Sequence, residues 1–208
     1  MSNFLIRFDR VSKIYKNRFS GVEIVGLKEV SFILNSGDII HVFGRNGSGK
    51  STLLRIAARL LKISSGTVEW NLIGQPELNP RIGYCPDNPV LYSNVSLINF
   101  LQFIGKLTNL KKSKRKIINW LSAFSLTDFA QEPIKSLSKG MVHKVALIAA
   151  LINQPSLVIL DEPFSSLDED SQKVLIEIIT RMSSENTGFL IADPAGLVES
   201  ISTMKMKL

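Results

Sequence analysis

The stretch GRNGSGKST at residues 44–52 limits the possible folds of this chain more than any other part of its sequence. It fits the pattern GxxxxGKS of a phosphate-binding loop, and it lies between an apolar strand candidate, IIHVF, and a helical run, STLLRIAARLL. The motif is informative only when it stands between a strand and a helix. We therefore predict an α/β fold in which this loop joins one strand of a sheet to a helix.

The residue types of the loop suit the binding of a nucleotide's phosphates. Gly44, Gly47 and Gly49 allow the backbone to curl, so that successive N–H groups face an anion beside the positive end of the next helix. Lys50 adds a cation for the outer phosphates, and the Ser51 hydroxyl is placed to ligate Mg²⁺. The predicted nucleotide-binding residues of the loop are Gly44, Arg45, Asn46, Gly47, Ser48, Gly49, Lys50, Ser51 and Thr52.

A pair of carboxylates follows a second apolar strand candidate. In SLVILDEP, residues 156–163, the apolar run ends in Asp161 and Glu162. Ligands of open α/β folds bind at the carboxyl ends of the strands, so Asp161 can hold the magnesium shell and Glu162 can polarise an attacking water. The alternative is an acidic pair that only begins a helix, where the helix dipole favours negative charge.

Strand candidates alternate with helical patterns along the chain, as expected for a sheet covered by helices. Apolar residues at helical spacing predict a helix over 173–182, with Asp168 as its N-cap. Between about 91 and 140 the strand signals disappear, and the spacing of Ile117, Ile118, Leu121 and Phe124 predicts helices instead. The strand candidates are FLIRFD, EVSFIL, IIHVF, GTVEW, RIGYC, SLVIL and GFLIA.

These patterns predict one domain over residues 1–208 with a helical insertion. Residues 1–90 and 141–208 form the predicted nucleotide-binding α/β core, and residues 91–140 form a helical lobe inserted into it. A single unit fits this length, since two independent domains would each be short.

The net charge of +7 favours contact with phosphates, nucleic acid or an anionic lipid surface, although many basic proteins have no such partner. The densest charge run is NLKKSKRK at 109–116. It fits a solvated helix start, and the alternative is attraction to anionic lipid headgroups.

Several classes of protein are disfavoured by composition. The single cysteine, Cys85, excludes an internal disulfide, and with only two histidines it argues against a zinc site built by the protein. The start, MSNFLIRFDR, does not resemble a signal peptide. The longest purely apolar run, VALIAALI at 145–152, is far shorter than the ~20 residues that cross a bilayer. We expect a chain from a reducing compartment that does not span a membrane by itself.

With SLSKGM at 136–141 added, the set of motifs resembles the nucleotide-binding subunit of an ATP-binding cassette (ABC) transporter. LSKGM is similar to the family signature LSGGQ, from which Lys139 and Met141 depart. The order also matches: phosphate loop, helical lobe, signature, LDEP and then SSLD. The resemblance covers nearly the whole chain and implies a P-loop NTPase (RecA-like) core with an antiparallel β subdomain and an inserted helical subdomain.

The resemblance also implies a function and partners. Subunits of this family bind ATP and Mg²⁺ and hydrolyse ATP where two subunits meet, because the signature of one closes over ATP held by the other. It therefore implies a homodimer or heterodimer, a separate transmembrane permease subunit, and a peripheral position on the cytoplasmic face of the membrane. The LSKGM form and the compact length resemble bacterial exporter subunits. Nucleic acid is not an expected partner.

The family's roles map onto residues of this sequence. Tyr15 matches the aromatic residue that stacks on adenine, and its alternative is a surface tyrosine in a loop. Ser138 and Gly140 match the signature donors to the partner's γ-phosphate; the alternative for Ser138 is a cap of its own helix. Glu162 matches the catalytic base, Lys50 is counted among the catalytic residues, and residues 165–168 match the segment that links the two sites.

Two positions depart from the family pattern. Asp87 or Asn88 stands where relatives carry a glutamine that touches Mg²⁺; the alignment does not choose between them, and Asp87 is a candidate metal ligand. Asp193, in FLIADPAG, stands where relatives carry a histidine that touches the γ-phosphate. An ionised aspartate only accepts hydrogen bonds, and at ~4 Å from a phosphate the repulsion costs about 1 kcal/mol in water. We expect Asp193 to point elsewhere, to act through metal or water, or to mark slowed hydrolysis.

Other functions remain open at this stage. A nucleotide-binding subunit with impaired hydrolysis, acting as an ATP-dependent switch or assembly factor in a membrane complex, is favoured by Asp87, Asn88 and Asp193 and opposed by Glu162. A soluble relative that acts on ribosomes or DNA is disfavoured, because paired cassettes and long coiled insertions are missing. A kinase is disfavoured because no lid for a second substrate accompanies the signature.

Overall fold

The computed structural model describes residues 4–16, 21–71, 82–108 and 113–208. Its strands are β1 (Phe4–Lys16), β2 (Glu23–Asn35), β3 (Ile39–Phe43), β4 (Ser65–Trp70), β5 (Ile82–Cys85), β6 (Leu157–Asp161), β7 (Gly188–Ala192) and β8 (Met204–Lys207). Its α-helices are α1 (Lys50–Ala57), α2 (Leu97–Leu107), α3 (Ser113–Ala123), α4 (Lys139–Leu151) and α5 (Glu169–Ser184). Short 3₁₀ turns cover Thr127–Phe129, Ile134–Ser136 and Glu199–Ile201.

The strands form two separate sheets. The parallel sheet has the order β5-β6-β7-β3-β8, and the antiparallel sheet has the order β2-β1-β4. Strands β3, β6 and β7 are buried along almost their whole length, which explains why their sequences are continuous apolar runs. In the antiparallel sheet, Phe8 of β1 stacks on Phe32 of β2 with ring centroids 4.6 Å apart.

The register of the parallel sheet brings three loop starts together. Asp161 on β6 pairs with Ala192 on β7, and Ala192 pairs with Val42 on β3. The residues that follow these positions, including the phosphate loop, therefore leave the sheet at one edge. A candidate site at this edge is a direct result of strand register.

Helices and turns occupy the described part of residues 91–140, and no strand lies among them. Apolar residues of α2 and α3 pack into the same buried cluster as α4 and α5. The predicted helical spacing is right for Ile117 and Leu121, which are buried, but Ile118 is 54% exposed. Ile118 follows the buried Ile117 and lies on the outer face of α3. Its side chain therefore adds little to the core.

Every strand candidate overlaps a strand of the structure, and Arg81 of RIGYC lies outside the described residues. The predicted helix over 173–182 is the inner part of α5, and Asp168 is its N-cap, accepting a hydrogen bond of 2.9 Å from the Ser171 amide. Strand β8 was not predicted, because its sequence, MKMK, is short and half charged. None of the helices in the described ranges combines the length and apolar character needed to cross a membrane.

Candidate nucleotide-binding site

The phosphate loop follows β3 and runs directly into α1. Gly44 has φ +152° and Gly49 has φ +101°, in the region that favours glycine. A Cβ atom on Gly49 would lie 2.2 Å from the Gly26 carbonyl oxygen, and one on Gly44 would lie 2.4 Å from the Leu208 carbonyl oxygen. Any side chain at either position would displace backbone, so both glycines are required by this loop geometry.

Lys50 fills the centre of the loop. Its side chain reaches back to donate hydrogen bonds to the carbonyl oxygens of Gly44, at 2.9 Å, and Arg45, at 3.1 Å. The residue is only 6% exposed, and no carboxylate of the described ranges forms an ion pair with it. The Ser48 hydroxyl is buried and has no hydrogen-bond partner among the same residues. An unpaired cation and an unsatisfied hydroxyl suit an anionic ligand.

Tyr15 lies over the start of α1. Its hydroxyl is 3.1 Å from the Thr52 hydroxyl, and a Cβ atom on Gly26 would meet its ring at 2.4 Å. The ring is 38% exposed. The aromatic face predicted for adenine thus stands beside the phosphate loop and is accessible.

Asp161 and Ser51 form the candidate metal site. The Ser51 hydroxyl lowers the pKa of the Asp161 carboxyl, but burial, the largest cause, and the charge of Asp87 hold that pKa above its usual value. Magnesium typically takes one or two carboxylates together with substrate phosphates and water. Asp161, Ser51 and the nearby Asp87 fit that requirement, whereas nowhere in the described residues do three or more His, Cys, Asp or Glu side chains form a complete metal cage.

Of Asp87 and Asn88, Asp87 carries a charge that acts on the site, where it raises the pKa of both Asp161 and Glu162. The Asn88 side-chain amide donates to Asp87 at 2.5 Å. Asp87 is thus the candidate metal ligand of the two, and its match to the family's glutamine stays a prediction.

Glu162 has a left-handed backbone with φ +50°, a conformation that costs a non-glycine residue roughly 1–3 kcal/mol. Its amide donates to the Ala192 carbonyl at 2.8 Å, which fixes this turn against β7. Burial and then the charges of Asp87 and Asp161 raise the pKa of the Glu162 carboxyl. A raised pKa makes the carboxylate a better proton acceptor. Glu162 also lines a cavity of about 370 Å³, together with Pro194 and Ala195.

Asp193 points into its own loop. It is 2% exposed, and its carboxylate accepts hydrogen bonds from the amides of Ala195, at 3.1 Å, and Val198, at 3.0 Å. Of the three expectations, the structure therefore matches the first, in which the carboxylate points elsewhere. His41 supports the same loop, because its Nε2 lies 2.8 Å from the Asp193 carbonyl oxygen and donates to it.

His41 was not among the predicted site residues. It is buried in β3, and its ring faces a loop that begins 152 residues later. One local signal was present: a polar residue in the middle of the apolar run IIHVF, where a buried side chain needs a hydrogen-bond partner.

The signature segment begins α4. The Ser138 hydroxyl oxygen accepts from the Met141 amide at 3.2 Å, so Ser138 caps its own helix, and its hydrogen stays free to donate. Ser138 and Lys139 are exposed. A Cβ atom on Gly140 would lie 2.7 Å from the Ser166 carbonyl oxygen, so this glycine allows close contact with residues 165–168.

A second link joins α4 to residues 165–168 and was also missed. The Lys144 ammonium is 2.6 Å from the Asp168 carboxylate and 3.5 Å from the Phe124 carbonyl oxygen. The hydrogen bond from Lys144 holds the pKa of Asp168 well below its usual range. Lys144 thus connects α4 with the residue that follows α3 and with the N-cap of α5.

The sequence of the chain matches the family model for the ABC transporter over residues 27–165, about two thirds of its length. The chain belongs to the ABC transporter family. An uncharacterised ABC transporter ATP-binding protein of Methanocaldococcus jannaschii is 36% identical over 168 residues, which cover 80% of this chain and 61% of that protein. The lipoprotein-releasing system ATP-binding protein LolD of Buchnera aphidicola is 33% identical over 218 residues, which cover 98% of this chain and 94% of LolD.

The chain spans between about half and three fifths of the length of several other curated relatives in this ABC family. Among solved structures, an ATP-binding subunit of an ABC transporter has a TM-score of 0.86 at 25% identity, covering 98% of this chain and 85% of that one. A dimeric structure of the cassette MJ0796, in a post-hydrolysis state bound to ADP and Pi, has a TM-score of 0.84 at 22% identity, covering 98% and 94%. The predicted fold, a P-loop core with an antiparallel β subdomain, is confirmed.

Proposed function

We propose that this ABC subunit binds ATP with Mg²⁺ and hydrolyses it at the interface of a dimer, driving transport through a separate membrane permease. The observation that carries this proposal is the meeting of unpaired Lys50, the Ser51–Asp161 pair and Glu162 at one edge of the sheet. At this edge, Lys50 is available for phosphate binding, Ser51 and Asp161 for metal coordination, and Glu162 for activation of a water.

Each group has a defined task in this mechanism. Lys50 leaves its two carbonyl partners for the outer phosphates, which offer it negative charge. Ser51 and Asp161 would hold the magnesium ion, with Asp87 as a further candidate ligand. When bound, Mg²⁺ would offset the negative charge of the phosphates. Glu162 accepts the proton of the attacking water, and Tyr15 stacks on the adenine.

The closing side of the site comes from a second subunit. Ser138 and Lys139 are exposed at the start of α4, where backbone N–H groups and the helix dipole favour an anion. The free hydrogen of the Ser138 hydroxyl adds a donor, and Gly140 leaves room for close approach. The proposal therefore requires two subunits, alike or different, for each pair of ATP molecules.

The permease contacts the helical lobe, residues 91–140, which we propose as a subdomain inserted between core segments 1–90 and 141–208. Tyr92 and Phe103 are exposed there, at 66% and 46%, and Val90, the last residue of the core segment before the lobe, is 96% exposed. Tyr92 and Phe103 form an edge-on aromatic pair with centroids 6.4 Å apart. Such an apolar surface, next to Asp87, suits a protein partner on the cytoplasmic side of the membrane. The LSKGM signature supports an exporter.

ATP turnover by the purified subunit, alone and with its co-purified membrane partner, tests the proposal. We expect Glu162→Gln to lower turnover by about 10²- to 10⁴-fold while ATP affinity is retained, because the proton acceptor is lost and the phosphate loop is not. Glu185→Gln, an exposed change at the end of α5, is the matched control. Undiminished turnover in Glu162→Gln would show that another group is the base, and absence of ATP binding by folded wild-type chain would overturn the proposal.

A further inference from the structure

We propose that the helical lobe carries a second binding surface, which contacts the anionic headgroups of membrane lipids. We call it the basic patch and define it by Lys106 at the end of α2 and by Lys114, Arg115 and Lys116 at the start of α3. The proposal rests on the proposed function only in that the permease brings the subunit to a membrane.

The charge of the chain is concentrated in this region. Residues 88–127 contain six Lys or Arg and no Asp or Glu, so this fifth of the chain carries +6 of the net +7. The other two cations, Lys111 and Lys112, lie between α2 and α3 in sequence and outside the described residues. The rest of the molecule is nearly neutral. Such an asymmetry creates a local positive potential that attracts an anionic surface.

No described residue forms a direct ion pair with the basic patch, although Lys116 lines one cavity with Glu177 and Glu185. None of its four side chains has an ion pair or hydrogen bond with a residue of 4–16, 21–71, 82–108 or 113–208. Three of the cations occupy the first turn of α3, which contains no acidic residue. Positive charge at this end of a helix opposes the helix dipole. The arrangement is unfavourable for the subunit alone and becomes favourable beside external negative charge.

Apolar side chains are exposed among these cations. Leu107, next to Lys106, is 65% exposed, and Ile118, in the turn after Arg115, is 54% exposed. Leu107 follows Phe103 by four residues and therefore lies on the same face of α2. Exposed aliphatic groups between lysines and arginines are typical of surfaces that lie at the membrane interface, with apolar atoms among the headgroups and charges near the phosphates.

The same mixture favours lipid over nucleic acid as the occupant. Aliphatic side chains such as those of Leu107 and Ile118 gain little from contact with a sugar-phosphate backbone, where binding depends on charge and polar donors. At a lipid interface they gain from burial. The patch also continues, through Phe103, the surface that we assign to the permease, so a permease contact would bring the patch toward the same membrane.

Vesicle sedimentation of the full chain without nucleotide tests the proposal. We expect binding to vesicles that contain phosphatidylglycerol, no binding to phosphatidylcholine alone, and loss of binding as salt is raised. Each Lys or Arg near an anionic membrane strengthens binding about fivefold, so the triple variant Lys114→Gln, Arg115→Gln, Lys116→Gln should bind about a hundredfold more weakly. Glutamine keeps helix propensity, and circular dichroism checks the fold.

A matched control removes three exposed cations elsewhere: Lys28→Gln, Lys62→Gln, Lys207→Gln. It has the same net charge as the first variant, and we expect it to bind vesicles within about fivefold of the wild-type chain, the effect of a single cation. Equal losses in the two variants would overturn the patch and leave only general attraction by net charge.

The double variant Leu107→Ser, Ile118→Ser separates the apolar contribution. It should weaken binding to phosphatidylglycerol vesicles by about tenfold or more, with the salt dependence unchanged. Unchanged affinity would contradict insertion of these side chains at the interface.

Nucleic acid and ATP assays complete the test. If the wild-type chain binds duplex DNA through the patch but sediments with neither kind of vesicle, the lipid proposal is wrong. ATP binding is measured on the same preparations and should be equal in the wild type and the triple variant. Intact ATP binding without vesicle binding overturns the lipid surface alone, whereas vesicle binding without ATP binding overturns the proposed function alone.

Discussion

Two loops at the same edge of the parallel sheet differ in how far their polar groups are satisfied by hydrogen bonds within the protein. In the phosphate loop, residues 44–52, the buried Ser48 hydroxyl has no hydrogen-bond partner in the described part of the chain. Lys50 donates to backbone carbonyls, which are weak partners for a cation. The loop after β7, residues 193–198, satisfies the Asp193 carboxylate with two of its own amides and its carbonyl with His41. The first loop is completed by a ligand, and the second is complete without one.

Unsatisfied polar groups therefore indicate binding residues, and polar groups satisfied within their own loop indicate structural residues of the same site. The family resemblance assigns the position of Asp193 to a phosphate contact, and the charge of Asp193 raises the pKa of Glu162. Both hydrogen bonds to its carboxylate, however, come from amides of its own loop. We therefore expect changes in the phosphate loop to alter ATP binding with little effect on folding, and changes at Asp193 or His41 to do the reverse.

Lys50→Ala should have the largest effect. The loss of its charged contacts with phosphate is expected to weaken ATP binding by about 100-fold, corresponding to about 3 kcal/mol, while the free energy of unfolding changes little. Isothermal titration with ATP and Mg²⁺ measures the affinity, and urea unfolding measures the free energy of unfolding. Lys62→Ala, just beyond α1, is the control and should retain affinity. Equal affinity of Lys50→Ala and wild type would mean that the loop does not hold the phosphates.

Asp193→Ala should lower the free energy of unfolding by about 2–3 kcal/mol, because two amide donors of a buried loop lose their acceptor. Urea unfolding measures this loss. Asp128→Ala, an exposed change, serves as the control. Stability equal to wild type, with ATP binding reduced instead, would reverse the comparison and assign Asp193 to the ligand.

Asp193→His tests the family role at the same position. The imidazole cannot replace both acceptor contacts, so we expect it to destabilise the loop and to leave turnover no higher than in the wild type. Steady-state hydrolysis by the folded variant gives the answer. A rise in turnover would indicate that the missing histidine limits hydrolysis in this chain.

His41→Leu should cost about 1 kcal/mol in stability, since the Asp193 carbonyl loses its donor within the core. His41→Gln keeps an N–H donor at a similar reach and should restore most of that loss. Urea unfolding of the two variants side by side makes the measurement. Identical stability of leucine and glutamine would show that the hydrogen bond does not support the loop.

The smallest expected effect is the pH dependence at Asp168. Its pKa is lowered by Lys144, so the ion pair stabilises the fold above the unfolded-state pKa of about 4 and is lost progressively as pH falls below that value. Since the Asp168 side chain is 60% exposed, we expect no more than about 1 kcal/mol. The difference in unfolding free energy between wild type and Asp168→Asn, measured from pH 7 downwards, should shrink over that window. A difference that is constant with pH would contradict the assignment.

Much of this architecture was readable from the sequence because the signals are local. The runs IIHVF, SLVIL and GFLIA are buried on both faces of the sheet, so continuous apolar character identifies them. In the phosphate loop, the glycine spacing stands between a strand and a helix, and this combination is specific for phosphate binding. The N-cap of α5 is specified within four residues, from Asp168 to Ser171.

The interactions that escaped prediction are all non-local. His41 and Asp193 are 152 positions apart in the sequence, and Lys144 and Asp168 are 24 positions apart. Neither pair therefore produces a spacing pattern in the sequence. Whether Asp87 or Asn88 matches the family's glutamine likewise depends on the directions of two adjacent side chains. Side-chain direction after a strand is set by tertiary packing, and motif spacing does not encode it.

The end of β8 has a practical consequence for experiments on this subunit. The Leu208 amide donates to the Phe43 carbonyl at 2.9 Å, and its own carbonyl oxygen stands where a side chain on Gly44 would be. Polypeptide joined after Leu208 therefore starts beside Gly44, the first residue of the phosphate loop. We expect a fluorophore attached there to respond to nucleotide binding, and a bulky purification handle at the same point to interfere with it.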